Sequence, residues 1–346
     1  MSGPLPSSNK PGGTPEPGLH SRREFLGRAA VATAATALGI NARGQEASRL
    51  QPVSFMGRNY ARASAYARSA GLSFKWTSPE LATLTGPGVS ILLDHDSRKI
   101  RINNIWVWLS APVWLRDREA FIPLLDISKT VEPILSQRRS RQALRTICLD
   151  PGHGGEDTGK RDGNRNEKQY TLLLARDVGR LLGRAGFRVT YTRTSDRPVE
   201  LSDRPLIAQR HKADLFLSLH YNGADVSSAF GAEVYCMTPA GTSSTNAGGE
   251  GADSPAYPGN RMDERNILLA YELQKLMVAR LGRTDRGVRR ARFAVLRDAT
   301  MPAALIEAGF MSNPQEARWI YSSKDRALLA QAIVDAVRNF KKAISL

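Results

Sequence analysis

Cysteine is almost missing from this chain of 346 residues, which has only two, Cys148 and Cys236. Two cysteines make no disulfide framework, and both stand inside runs of strand type, so they read as buried thiols acting as small apolar side chains. Also absent is any apolar window of the roughly 18 residues that a transmembrane helix needs. Acidic residues are in deficit, 33 against 49 lysines and arginines, which gives a formal charge of +16. A basic balance of this size points to an anionic partner such as nucleic acid, a membrane surface or an acidic polymer. The basic residues are mostly scattered arginines with one local cluster, Arg138, Arg139, Arg141 and Arg145. No nucleic-acid motif accompanies them, so an anionic envelope polymer is the favoured partner. The remaining composition, 41% hydrophobic and 24% charged, fits a globular chain of about two domains.

The first twenty residues are rich in Pro, Gly and Ser, a composition that does not bury a core. Ser21-Arg22-Arg23-Glu24-Phe25-Leu26-Gly27 follows, and then a mildly apolar Ala/Thr stretch from Ala29 to Ile40. Paired arginines ahead of an apolar region too short to span a bilayer resemble a twin-arginine export signal. Residues 1–45 are therefore expected to be a disordered N-terminus and signal peptide, cleaved between residues 37 and 45. The remainder would be delivered to the periplasm or cell envelope. No cysteine lies there to carry a lipid anchor. Residues 1–44 hold five basic and two acidic side chains, so the rest of the chain keeps +13 and the charge is not an artefact of the signal.

Residues 50–137 alternate short β-type runs with turn residues. The spacing predicts a helix over 57–70, stopped by Gly71, strands at 72–76, 89–93, 99–102, 105–109 and 120–122, and a closing helix over 123–135. This rhythm, with Phe121-Ile122-Pro123-Leu124-Leu125, resembles the small α+β domain first named from the N-terminus of copper amine oxidases. Such an accessory unit would bind the cell wall or act as a spacer. His95 is expected to be a turn residue, because a metal role needs partners that this segment lacks. Residues 138–145 read as a basic linker.

From 146 to 346 β runs alternate with amphipathic helices, which argues for an α/β fold, a mostly parallel twisted sheet flanked by helices. Strands are expected at 146–149, 188–192, 215–219, 232–236, 293–296 and 303–306, and helices at 167–185, 203–212, 263–281 and 324–342. The first strand runs into Asp150-Pro151-Gly152-His153-Gly154-Gly155, where proline stops the ladder and the glycines let one imidazole project from the carboxyl end. A phosphate cradle would need a following Gly-Lys-Ser/Thr, which is missing. Glu167 opens the next helix, where a glutamate alone would merely complement the dipole. The third strand ends in His220, with Asn222 beyond it, and the last carries Glu307 out of an apolar run. In a parallel sheet the carboxyl ends share one edge, where open α/β sheets place their sites. His153, Glu167, His220 and Glu307 should therefore converge.

Two imidazoles and a carboxylate make a catalytic zinc set with one position left for water. A second carboxylate nearby can take the proton of that water as it attacks a carbonyl. Spacing leaves two assignments open. Glu167 binds the metal and Glu307 is the base, or the roles are reversed.

Residues 146–344 resemble the zinc-dependent N-acetylmuramoyl-L-alanine amidases of bacterial walls. The matches run in order: Leu149 to Gly155, Glu167-Lys168, Thr192-Arg193 with Asp196 and Leu201, Ala213 to His220, Gly231 to Tyr235, Arg286-Gly287-Val288, Val295-Leu296-Arg297, Met301-Pro302-Ala303 and Glu307 to Asn313. The resemblance implies one zinc held by His153, Glu167 and His220, Glu307 as the catalytic carboxylate, and peptidoglycan as substrate. It also admits an activator protein at the division site as a partner. Arg193, Asp196 and Arg204 read as residues that hold the fold. Two departures stand out. Tyr221 follows His220 where the family has a small residue, so it is expected to narrow or reshape the cleft. The stretch 238–260, rich in Gly, Ser, Thr and Pro, is expected to be a mobile loop near the carboxyl edge, without a stable helix.

Two rival readings are weaker. A wall-binding protein that had lost turnover would not need all four chemical residues. A nucleic-acid-binding protein would bind DNA with steep salt dependence and would have no use for an export signal.

Overall fold

The computed structural model describes residues 50–136, 143–246 and 254–345. The expected signal at 1–45 and most of the arginine cluster lie outside the described residues. Five short strands and a helix come first: β1 (Val53–Phe55), β2 (Arg58–Arg62), α1 (Ala63–Ser69), β3 (Ser73–Ser78), β4 (Leu81–Gly86) and β5 (Val89–Asp94). Then follow β6 (Ser97–Ile102), the long β7 (Ile105–Arg116) and β8 (Glu119–Pro123). The closing helix α2 is built of Leu124–Asp126, the π-helical Ile127–Val131 and Glu132–Ser136. Residues 57–60, expected to be helical, instead turn and enter β2, and the helix starts only at Ala63. Tyr60 and Ala61 are both buried in β2 between exposed Asn59 and Arg62, so the strand shows no alternation to set against the alanines that follow.

The larger unit opens with β9 (Thr146–Pro151), buried along its whole length, as a central parallel strand must be. A hairpin, β10 (Arg161–Asp162) and β11 (Arg165–Asn166), leads into α3 (Glu167–Arg184). Next come β12 (Arg188–Tyr191), α4 (Asp203–Arg210), β13 (Leu215–Asn222), β14 (Ala232–Met237) and α5 (Asp263–Leu281). The chain finishes with β15 (Asp285–Ala291), α6 (Ala294–Arg297), β16 (Ala303–Phe310), α7 (Pro314–Tyr321) and α8 (Ser323–Ile344). The sheet order is β12-β9-β13-β16-β14-β15, continuing into β7-β6-β5-β4-β3. Strands β12, β9, β13 and β16 are mutually parallel, and β14 and β15 run the other way. Strand β15 meets β7 in parallel through the pair Val288 and Val107, so one sheet crosses both parts of the molecule.

Alternation along the strands divides the core. Ile147, Leu149, Leu215, Leu217 and Leu219 lie in the main cluster, where β9 and β13 pack on α3, and α5 and α8 complete the layer. Cys148, Phe216, Tyr235 and Leu305 face the other way, onto Ala208 of α4 and Val295 and Leu296 of α6. Both cysteines are free and buried, and burial pushes the Cys148 thiol up to about 12. Among the described residues no helix is long and apolar enough to cross a membrane.

Two expectations are corrected here. Residues 293–296 form the start of the short helix α6, not a strand. The strand lies just before it, in Asp285–Ala291, where Arg286, Arg289 and Arg290, half-buried or buried, disguise a strand around buried Val288. The antiparallel direction of β14 sends the segment after it to the edge opposite the carboxyl ends of β9, β13 and β16. Its described residues are not loose there. Thr238, Thr242, Ser243 and Ser244 are buried, Arg292 donates to the carbonyls of Pro239 and Thr242, and a 3₁₀ turn forms at Pro258–Met262.

Candidate metal centre

The loop after β9 is held by two buried arginines. Arg204 pairs with Asp150 at 2.8 Å and donates to the carbonyls of Pro151 and His153. Arg193, 1% exposed, donates to the carbonyls of Pro151, Gly152 and Lys168. Asp150 is fully used, accepting also from Thr192 Oγ1 at 2.6 Å and Ser218 Oγ at 2.7 Å. Asp196 ties Gly155 N to Lys168 Nζ. This scaffold keeps His153 in a left-handed conformation (φ 62°), one that costs an L-residue energy and persists only where its surroundings enforce it. The fold-holding role expected of Arg193, Asp196 and Arg204 matches these contacts.

Three donors meet above the carboxyl ends of β9 and β13. One ligand atom from each of His153, Glu167 and His220 lies within 4.8 Å of the others. Glu167 Oε1 is 3.1 Å from His153 Nε2 and 3.0 Å from His220 Nδ1, and the two rings stand edge to face at 4.9 Å. Backbone N–H groups fix that carboxylate from behind. Tyr221 N donates to Oε1 at 3.0 Å and Lys160 N donates to Oε2 at 2.9 Å. Glu167 sits at the start of α3, so the helix dipole adds to this support. Glycine is needed at two approaches. A Cβ on Gly152 would stand 2.1 Å from the His220 ring, and one on Gly159 would stand 2.5 Å from Glu167 Oε2.

His153 Nδ1 lies 2.8 Å from Asp157 Oδ2, and Asp157 Oδ1 accepts from Gly159 N. That contact orients the ring and leaves Nε2 facing Glu167. Burial works against a charged His153, yet Glu167 and then Asp157 outweigh it and hold the imidazole above its usual value. Burial likewise opposes ionisation of Glu167, and hydrogen bonds from His153 and His220 overcome it, so this carboxyl stays far below the usual range.

Glu307 stands in register beside His220 on the neighbouring strand and lines the same cleft of about 480 Å³ as His153, Glu167 and Asp157. Its Oε2 is buried and has no hydrogen-bond partner among the described residues. Burial, and then the charges of Glu167 and Glu233, raise its carboxyl well above the ordinary value. The four expected residues thus come together, and Glu167, not Glu307, completes the cluster with the imidazoles. His95 lies in the turn between β5 and β6, accepting from Leu115 N, and His211 caps α4.

Sequence reasoning passed over Asp157, the amides of Lys160 and Tyr221, and Glu233. Asp157 had a signal, a carboxylate four residues after a candidate ligand in the same glycine loop. Glu233 faces Glu307 across β14 and β16 and gathers Asn222, Tyr235, Arg286 and Arg289. Tyr221 borders the cleft but is 2% exposed and packs in the main core. It contributes an amide to the site as well as part of the cleft wall.

The sequence profile of the N-acetylmuramoyl-L-alanine amidase family, Amidase_3, matches residues 147–339, more than half of the chain. The chain belongs to this family. Among its relatives, the probable cell wall amidase LytH of Staphylococcus epidermidis is 32% identical over 199 residues, covering 57% of this chain and 58% of that protein. The N-acetylmuramoyl-L-alanine amidase AmiA of Salmonella typhimurium is 32% identical over 222 residues, covering 57% of this chain and 76% of that one. This chain thus matches only 58% of the length of the staphylococcal protein. Among solved structures, the catalytic domain of the amidase CwlV from Bacillus (Paenibacillus) polymyxa is 28% identical with a TM-score of 0.49, covering 57% of this chain and 99% of that domain.

Proposed function

We propose that this amidase hydrolyses the amide between the lactyl group of N-acetylmuramic acid and the L-alanine of peptidoglycan stem peptides. The observation that carries the reading is the convergence of His153, Glu167 and His220 beside a buried Glu307 oxygen that nothing else engages. Two imidazoles and one carboxylate, already oriented by Asp157 and two backbone amides, fit a single zinc ion. Zinc at this centre would supply Lewis acidity, polarising the substrate carbonyl and acidifying water.

The chain's own residues do the rest. Glu307 Oε2, free of partners, takes the proton of the attacking water and returns it to the departing alanine nitrogen. Its place suits both halves of that exchange, since it stands beside His220 on the neighbouring strand with no other hydrogen-bond partner for Oε2 among the described residues. Asp157 keeps the His153 ring in one orientation, and the Glu167 amide contacts keep its carboxylate from turning. The cleft wall formed by Lys160, Asn222 and Gly223 limits the approach to the site.

The proposed setting is the periplasm or cell envelope, reached through the twin-arginine signal, where the enzyme would remodel the wall or separate daughter cells, alone or under an activator. Changing Arg22 and Arg23 to lysine should leave the precursor in the cytoplasm, and normal maturation would remove the export assignment. Digestion of purified peptidoglycan tests the activity. The products should be free L-alanine amino termini on intact glycan strands, abolished by a chelator. New reducing sugar ends would mean a glycosidase, and amino groups freed deeper in the stem an endopeptidase.

A further inference from the structure

Beside the catalytic cleft lies a second pocket of about 530 Å³, of the size small-ligand sites have. The two share walls. The β10–β11 hairpin gives Arg161 to the cleft and Asp162 and Arg165 to the pocket, and Met311 N on the pocket side donates to Asn222 O on the cleft side at 2.8 Å. The far wall is α7, with Arg318 and Tyr321.

The pocket is built. Tyr321 OH donates to Asp162 at 2.6 Å, joining hairpin to helix, and the Tyr321 ring rests against Tyr170 at 4.6 Å. The Arg165 guanidinium lies over the Tyr321 ring at 4.5 Å, which restricts its fork without using any of its N–H groups. Neither Arg165 nor Arg318 has a carboxylate partner among the described residues, and Asp162 is the one acid in the lining. Two unpaired forks, one of them laid flat on an aromatic ring, are suited to planar anions with two oxygens.

We infer that this pocket binds the carboxylates of the stem peptide beyond the cleaved alanine, through Arg165 and Arg318. The inference rests on the proposed function. In that substrate the lactyl carboxyl is consumed in the amide, so free carboxylates lie on the peptide side, and a peptide leaving the centre past Arg161 enters the pocket.

The test compares N-acetylmuramoyl-L-alanyl-γ-D-glutamyl-L-lysine with the same molecule amidated at both carboxyls, using the full zinc-loaded protein. Two charge-assisted contacts should give the acid form an advantage in kcat/KM of about 10- to 100-fold. An Arg165→Gln, Arg318→Gln double variant should bring that ratio close to one, and Arg165→Lys, Arg318→Lys should restore part of it. A wild-type ratio near one, or a ratio unchanged by the double substitution, overturns the inference while leaving the amidase reading intact. Should neither compound be hydrolysed by the wild type, the amidase reading rests on the peptidoglycan digestion, and calorimetry with free L-alanyl-γ-D-glutamyl-L-lysine decides the pocket. Binding lost in the double variant supports it, and absent or unchanged binding refutes it.

Discussion

Replacing Gly152 by alanine is expected to cripple the metal centre without unfolding the protein. The new Cβ would stand 2.1 Å from His220 Cε1 and 2.4 Å from Nε2, whereas ordinary contact begins near 3.4 Å. The shortfall of about 1.3 Å has to be met by the ring, because the backbone is pinned. Gly152 N donates to Leu219 O at 3.0 Å, and its carbonyl accepts from Thr171 Oγ1 at 2.9 Å and Arg193 Nη2 at 2.8 Å. Metal sites tolerate ligand errors of only about 0.2 Å, so His220 would be lost as a ligand. Zinc affinity should fall by at least ~100-fold, or ~2.7 kcal/mol. Overpacking should lower the stability of the metal-free protein by only about 1–3 kcal/mol. Competition with a chromophoric chelator reads the first number and denaturant unfolding the second. Gly183→Ala is the control, since its Cβ meets nothing within 4 Å in the last turn of α3 and should be neutral or slightly stabilising. A Gly152→Ala protein that binds zinc as tightly as the wild type would refute the steric argument and the place of His220 in the centre.

Three further outcomes are expected. Glu307→Gln should fold and keep its zinc by elemental analysis, yet turn over about 10²–10⁴-fold more slowly; near-normal rates would remove it as the base. Asp157→Ala should weaken zinc binding about 10- to 100-fold by freeing the His153 ring, which metal titration would detect. Arg204→Met should destabilise the protein by about 3–5 kcal/mol because it breaks a buried ion pair by removing one partner. An Asp150→Asn, Arg204→Met pair that recovers much of that loss in urea unfolding would show that the isolated charge is the cause.

The four residues of the centre were legible because each stands where an apolar element ends or a helix begins. His220 and Glu307 close runs that could only be buried strands, and His153 follows a strand stopped by proline. A parallel arrangement then sends all of them to one edge. Strand direction was not legible. Every residue of β14 from Ala232 to Met237 is buried, so its sequence carries no sign of which neighbour it opposes. Reading it as one more parallel strand misplaced the segment after it. In β15, Arg286, Arg289 and Arg290 look like a solvated loop, but their charge is absorbed locally. Glu233 takes the first two, while Arg290 reaches the carbonyls of Met237 and Lys129. Such compensation depends on residues tens of positions away. The π-helical stretch of α2 is equally hidden, and it presents Lys129 O and Thr130 to Arg290.

The pairing of β15 with β7 bears on how the enzyme can be dissected. Cut away residues 50–136 and β15 loses its ladder pair with β7, Val288 with Val107, and becomes the rim of the sheet, where another strand can add. Arg290 would lose two of its acceptors in the same cut. An isolated catalytic fragment should therefore be sticky, forming oligomers by strand addition. In the intact chain the small N-terminal unit covers this flank of β15.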